Sequence, residues 1–152
     1  MQVEGVSIDP RTSSPVLLLQ ERDGERRTLP IWIGSHEARS IALEMEAVRV
    51  PRPNTHDLIK NVLNGLGAQI ERVVVTELRD GTYYAEIELA LAGRTVSVDS
   101  RPSDAIAVAL RTHAPVYATE RVLRQAGRLE AGDALEVSWS PDPRRAPQLA
   151  TQ

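Results

Sequence analysis

Two short stretches of this chain carry the residue types from which a phosphate-handling site could be built. Arg52-Pro53-Asn54-Thr55-His56-Asp57-Leu58-Ile59 is echoed, two residues shorter, by Arg101-Pro102-Ser103-Asp104-Ala105-Ile106. In each, Arg-Pro precedes a predicted helix start and an aspartate falls in the first turn. Proline presets φ, small polar side chains cap, and a carboxylate answers the helix dipole, so each copy reads as an ordinary helix start. The same physics serves a ligand. A helix N-terminus offers unpaired N–H groups to an anion, with Arg52 or Arg101 beside it. The carboxylates could instead hold a divalent cation that carries a phosphate. His56, next to Asp57, is a residue type suited to proton transfer.

Further acidic groups surround these stretches. Glu37 and Glu44 lie seven residues apart on one face of a predicted helix; unless that face is solvated, Glu37 could join Asp57 or Asp104. A two-residue turn at Ala92-Gly93 sets Glu86 opposite Asp99, and that strand leads through Ser100 directly into Arg101. His36-Glu37-x-x-Ser40 begins like a zinc-protease helix, but Ser40 stands where the second histidine belongs and is a poor zinc ligand.

The elements that must position these groups follow from periodicity. Val6 and Ile8, then Val16 to Leu19, then Leu29, Ile31 and Ile33 predict three strands, and Pro30 marks the third as an edge strand or one with an irregular ladder. A helix after Gly34-Ser35 carries Ile41, Met45 and Val48 and ends at Pro51. A second, from Asn54 or Thr55 to about Leu66, carries Leu58, Ile59, Val62, Leu63 and Leu66. Turns at Asp80-Gly81 and Ala92-Gly93 split residues 70–99 into a three-strand meander. A third helix starts near Pro102 with Ile106, Ala109 and Leu110 as its stripe, Val116-Tyr117 is a short strand, and Thr119 caps a fourth helix. Ala134 to Trp139 could form a further strand. The predicted class is α+β, with a mainly antiparallel sheet and three to four helices packed against it. The expected organisation is a domain over 1–123, an extension over 124–140 and a disordered tail over 141–152.

Composition bounds the possibilities. A chain of 152 residues with 41% hydrophobic and 26% charged content is a single soluble domain. It has no cysteine, which removes thiol nucleophiles, disulfides and cysteine-ligated metals. No apolar run is long enough to span a bilayer, and no signal peptide is evident, so a cytoplasmic protein with no membrane partner is expected. The net charge of −3 is not that of a nonspecific nucleic-acid binder, and aromatics are too few for a base-stacking platform. Phosphate-loop, nucleophile-elbow and dinucleotide glycine motifs are absent.

Pro30-Ile31-Trp32-Ile33-Gly34 with Glu37-Ala38, Pro51-Arg52-Pro53 with Thr55-His56-Asp57-Leu58, Asp99 through Ile106, and Ala114-Pro115-Val116 together resemble the bifunctional nuclease (BFN) family over about residues 1–123. The resemblance implies an α+β fold, a homo-oligomer such as a dimer, and degradation of both DNA and RNA, an activity attributed mainly to plant members. On that reading the chain is a hydrolase with nucleic acid as substrate. Glu37, Asp57 and Asp104 would bind Mg²⁺ or Mn²⁺. His56, Asp57, Asp104 and Arg101 would form the catalytic set, and Arg52, Arg101, Thr55 and Ser103 would hold the phosphate. The alternative is a non-catalytic module that binds an anion or small ligand, or serves oligomeric assembly, with the same aspartates acting as caps.

Overall fold

A computed structural model describes residues 1–129. The expected strand at Ala134 to Trp139 and the tail over 141–152 lie outside the described residues. The first three strands, β1 (Gln2–Ile8), β2 (Pro15–Gln20) and β3 (Thr28–Trp32), form an antiparallel sheet in the order β1-β2-β3. Pro30 lies on its edge strand, as a residue without a backbone N–H should. Helices α1 (Ser35–Met45) and α2 (Thr55–Gly65) follow. The meander β4 (Gln69–Arg79), β5 (Thr82–Leu91) and β6 (Arg94–Ser100) comes next, then α3 (Pro102–Thr112), β7 (Val116–Ala118) and α4 (Glu120–Ala126). The second sheet has the order β6-β5-β4-β7, with β7 parallel to β4 and the other pairs antiparallel. The class is α+β. The strands fall into two sheets rather than one, and the fold runs on through α4 to an antiparallel bridge between Thr28 and Arg128.

Both meander turns are two residues long with φ positive at each: +50° and +77° at Asp80-Gly81, +50° and +75° at Ala92-Gly93. That backbone matches the twist of the flanking strands, and it fixes the register. Glu86 accordingly faces Asp99, and Ser97 donates to Glu86 at 2.8 Å.

The core lies between the sheets and the helices. Leu17, Leu19, Leu29 and Ile31 face Ile41 of α1, Val73 and Val75 of β4, Ile106 of α3 and Val122 of α4. Each such side chain, withdrawn from water, contributes about 1.5–3 kcal/mol. Helix α3 is central. Ile106 and Ala109 are buried as expected, and so are Pro102, Ser103, Ala105, Ala107, Val108 and Arg111, because a helix enclosed on most sides must be apolar nearly all round. Its alanines let α1 and α2 approach closely.

Three apolar patterns are not covered as their periodicity predicts. Ile8 is exposed because it lies opposite Pro15 at the end of β1, beyond the packed layer, whereas Val6 sits opposite Leu17 over the core. In α1 only Ile41 of the expected stripe is buried; Met45 ends the helix and Val48 lies past it. In α2, Leu58, Ile59, Val62 and Leu66 are exposed, and the one fully buried residue is His56. That helix rests on α3 through its polar first turn. No helix among the described residues is long and apolar enough to cross a membrane.

Candidate active site

Three helix N-termini meet, and each brings a carboxylate at its third position. Helix α1 starts at Gly34, with Glu37 in its first turn. A side chain at residue 34 would run into the Glu37 carboxylate, so glycine leaves the space into which Glu37 folds back. Its own backbone N–H, and then the Arg101 guanidinium, hold the Glu37 carboxyl below the usual range against the opposing effect of burial.

Helix α2 is capped by Asn54, not Thr55. The Asn54 side chain accepts from the Asp57 N–H at 3.0 Å, and Asp57 accepts from the Asn54 N–H at 2.9 Å, a reciprocal capping box. The other Asp57 oxygen accepts from Arg111 Nε at 2.6 Å. Burial alone would raise the Asp57 carboxyl; Arg111 and the Asn54 N–H outweigh it, and the group lies below its ordinary value.

Helix α3 begins with Arg101 as cap residue and Pro102 in its first turn. Here the two Arg-Pro stretches diverge: Arg101 sits at the helix boundary, while Arg52 precedes the α2 cap by two residues, which accounts for the two-residue length difference. Arg101 donates from Nε to Asp104 Oδ2 and from Nη2 to Glu37 Oε1, each at 2.8 Å. Both bonds stabilise the charged guanidinium, and the Arg101 pKa is raised, by Asp104 first and then Glu37.

A hydrogen-bonded chain ties the three tips together. The Ser40 hydroxyl lies 2.7 Å from His56 Nδ1, and His56 Nε2 lies 2.9 Å from Asp104 Oδ1. Arg111 Nη2 donates to the Ser40 hydroxyl and carbonyl, each at 3.1 Å, and Nη1 donates to the Ala107 carbonyl at 2.8 Å. An ionised Asp104 only accepts, so hydrogen-bond bookkeeping puts the imidazole proton on Nε2. Nδ1 then accepts from Ser40, whose oxygen in turn accepts from Arg111. Serine, histidine and aspartate thus stand in line, but Ser40 is 7% exposed and its oxygen is occupied by Arg111. Its hydroxyl orients the ring.

Glu37, Arg52, Thr55, His56, Arg101 and Asp104 all line one cavity of about 420 Å³. Arg101 is open to solvent, with two-thirds of its side chain exposed; Asp104 and Glu37 are partly covered. Arg39 also borders it, so three arginines line the cavity of a chain that is acidic overall. Asp57 does not line it and faces Arg111 instead. Ser103, at 5% exposure, does not line it either.

The fit of a divalent ion turns on how the three carboxylates are shared. Glu37 and Asp104 converge on one guanidinium, and Asp57 belongs to a separate ion pair. Among the described residues no three His, Asp or Glu side chains group so as to hold a metal ion. The arrangement does not fit a three-carboxylate centre; the cation between Glu37 and Asp104 is Arg101.

Ser40 and Arg111 are the two site residues that sequence reasoning passed over. In the sequence Ser40 stands out only at the position of a zinc ligand, for which serine is poor. Arg111 had one local signal, a lone cation within the apolar run of α3, seven residues beyond Asp104 and therefore near the same face.

Comparison with known proteins supplies the family. Residues 17–130 match the family model of the bifunctional nuclease domain. An uncharacterized protein of Mycobacterium tuberculosis is 45% identical over 129 residues, which cover 85% of this chain and 76% of that protein. Bifunctional nuclease 1 of Oryza sativa subsp. japonica is 30% identical over 117 residues, 74% of this chain and 35% of that protein. Bifunctional nuclease 1 of Arabidopsis thaliana is 30% identical over 105 residues, 67% of this chain and 32% of that protein. The chain therefore spans about a third of the length of the plant relatives.

Proposed function

Because this chain belongs to the bifunctional nuclease domain family, we propose that it hydrolyses phosphodiester bonds of DNA and RNA in the cavity between the tips of α1, α2 and α3. The observation that carries this reading is Arg101, an exposed guanidinium held by two carboxylates at the rim of a cavity that a second arginine, Arg52, also lines. A phosphate diester offers Arg101 the bidentate partner that its fork geometry suits. When the guanidinium turns onto the phosphate, Asp104 Oδ2 and Glu37 Oε1 lose their cation beside the reacting group. Asp104 then accepts a proton from the attacking water as the water oxygen bonds to phosphorus; the P–O bond to the leaving sugar oxygen breaks, and that oxygen takes a proton from solvent. His56, bonded behind it and braced by Ser40, fixes the carboxylate's orientation, and Asp57 acts at one remove by anchoring Arg111. Arg52, Arg101 and the Thr55 hydroxyl stabilise the charge that develops on the phosphoryl oxygens.

One observation favours a second reading, an anion-binding module without chemistry. Both His56 ring nitrogens are already bonded, so the imidazole is not free to transfer a proton to substrate. That module would bind a mononucleotide through Arg52 and Arg101 and turn nothing over.

The test is hydrolysis of single- and double-stranded DNA and RNA oligonucleotides by highly purified protein and its Arg101→Met variant, each with and without EDTA. The proposal expects cleavage of both nucleic acids, a loss of at least about 10²-fold in Arg101→Met, and no effect of chelator. Loss on chelation would restore a divalent ion (Mg²⁺ or Mn²⁺) to the Glu37–Asp104 pair. Nucleotide binding without cleavage would support the module, and cleavage indifferent to Arg101 would overturn the site.

A further inference from the structure

Among the described residues, four strand edges border the two sheets, and three of them are protected. β1 carries a bulge between Val3 and Gly5, β3 carries Pro30, and β7 is three residues long. Each device blunts an edge against pairing with another chain. β6 has none of them. Its seven residues pair with β5 in unbroken register, from Leu91 opposite Arg94 to Ala85 opposite Ser100, and between Arg94 and Asp99 it reads Thr-Val-Ser-Val. Val96 and Val98 are about two-fifths exposed although they lie beside Leu89 and Ile87, on the face the helices cover elsewhere.

The hydrogen-bonding pattern of that edge follows from its hairpin. A two-residue turn closes on the bonded pair Leu91–Arg94, and antiparallel pairs then alternate, so Arg94, Val96, Val98 and Ser100 turn their backbone groups toward β5. Thr95, Ser97 and Asp99 turn theirs outward. Three outward residues centred on Ser97 are self-complementary: a second copy of the strand, run antiparallel about Ser97, sets 97 against 97, 95 against 99 and 99 against 95. That register gives six backbone hydrogen bonds and opposes no like charges. On the inner face it sets Val96 against Val98 of the partner subunit as a non-hydrogen-bonded pair, the closer of the two kinds. On the outer face it brings the Thr95 hydroxyl opposite Asp99 of the partner subunit. Asp99 lies directly beside Glu86, so a hydroxyl across the new pair is a better neighbour for it than a further carboxylate. Shifting the centre by two residues either way breaks one of these matches: centred on residue 95 or 99, the strand ends overhang and Val96 and Val98 no longer face each other.

We propose that the occupant of this edge is a second copy of the chain, and that two copies pair through β6 about Ser97 to make one continuous eight-stranded sheet. The same register sets Arg94 of the partner subunit opposite Ser100, the residue before Arg101. The two cavities then open from the ends of the joined strands, each with a cation from the other copy close in sequence register. This assembly stands whether or not the chain cleaves nucleic acid.

The absence of cysteine makes the test direct. A hydrogen-bonded antiparallel pair separates its Cα atoms by about 5.5 Å, within the range a disulfide spans. Ser97→Cys in the full chain should therefore give a covalent dimer on mild oxidation, while Leu66→Cys, on the exposed face of α2, should not. Wild-type protein should sediment as a dimer. Ser97→Pro, which removes an N–H that β5 does not use, should sediment as a folded monomer. A monomeric wild type would overturn the proposal. So would a dimer that Leu66→Cys crosslinks as well as or better than Ser97→Cys. If Ser97→Pro fails to fold, the cysteine pair alone decides.

Discussion

His56 and Asp104, forty-eight residues apart, share a 2.9 Å hydrogen bond that joins the first turn of α2 to the first turn of α3. The bond closes the gap between two similar helix starts and gives them one cavity. Arg101 extends the link to α1 through Glu37, and Arg111 backs it from beneath through Asp57 and Ser40. Two arginines thus serve one site in different ways, one exposed at its mouth and one buried under it.

That difference separates stability from activity. Arg111 is 4% exposed and satisfies Asp57, Ser40 and the Ala107 carbonyl. Arg111→Met leaves a partly buried carboxylate without its cation and should lower unfolding free energy by about 3–5 kcal/mol, read from urea denaturation. Arg101→Met removes an open cation and should cost under about 1 kcal/mol in the same measurement, yet lower cleavage by at least about 10²-fold. Equal losses of stability in the two variants would contradict this division.

The pH dependence of stability should report Asp57. Its folded carboxyl is held below the ordinary range, with Arg111 and the Asn54 N–H overcoming burial. A depressed folded pKa contributes stability that is fully present above the unfolded value, near 3.9, and is lost as pH falls through the folded one. The urea midpoint of the wild type should therefore decline as pH drops below about 5. Asp57→Asn should start lower at neutral pH and decline less steeply. Parallel curves for the two proteins would remove Asp57 from the account.

Gly34 should be needed for space rather than for backbone freedom. Its φ of −74° suits any residue, but an added methyl meets the folded-back Glu37 carboxylate. Gly34→Ala should displace Glu37 from Arg101, lower cleavage several-fold and change stability by less than about 1 kcal/mol. Unchanged activity with a crystal structure showing Glu37 still on Arg101 would refute this.

The parts of the fold legible in the sequence are those governed by neighbouring residues. Asp80-Gly81 and Ala92-Gly93 set the meander and its register, Arg-Pro located two helix starts, and Pro30 marked an edge. What periodicity could not tell was what covers an apolar face: Leu58, Val62 and Leu66 form a regular stripe, but α2 docks by its polar first turn. The site was legible as residue types at helix tips. Glu37, His56, Arg101 and Asp104 do come together, while Asp57 is turned away by its own capping box and its pairing with Arg111, and Ser103 is enclosed with the rest of α3. Ser40 and Arg111 stayed hidden because their roles depend on contacts 16 and 54 or more residues away, which no local spacing encodes.

The most direct measurement is the rate at which purified Asp104→Asn protein cleaves single-stranded DNA and RNA, beside wild type and at matched folding by circular dichroism. Asparagine keeps the shape but cannot take up a proton, so the rate should fall by about 10²–10⁴-fold. Nucleotide binding through Arg52 and Arg101 should persist. Wild-type rates in a folded Asp104→Asn protein would show that the meeting point of the three helix tips is not where phosphodiester bonds are broken.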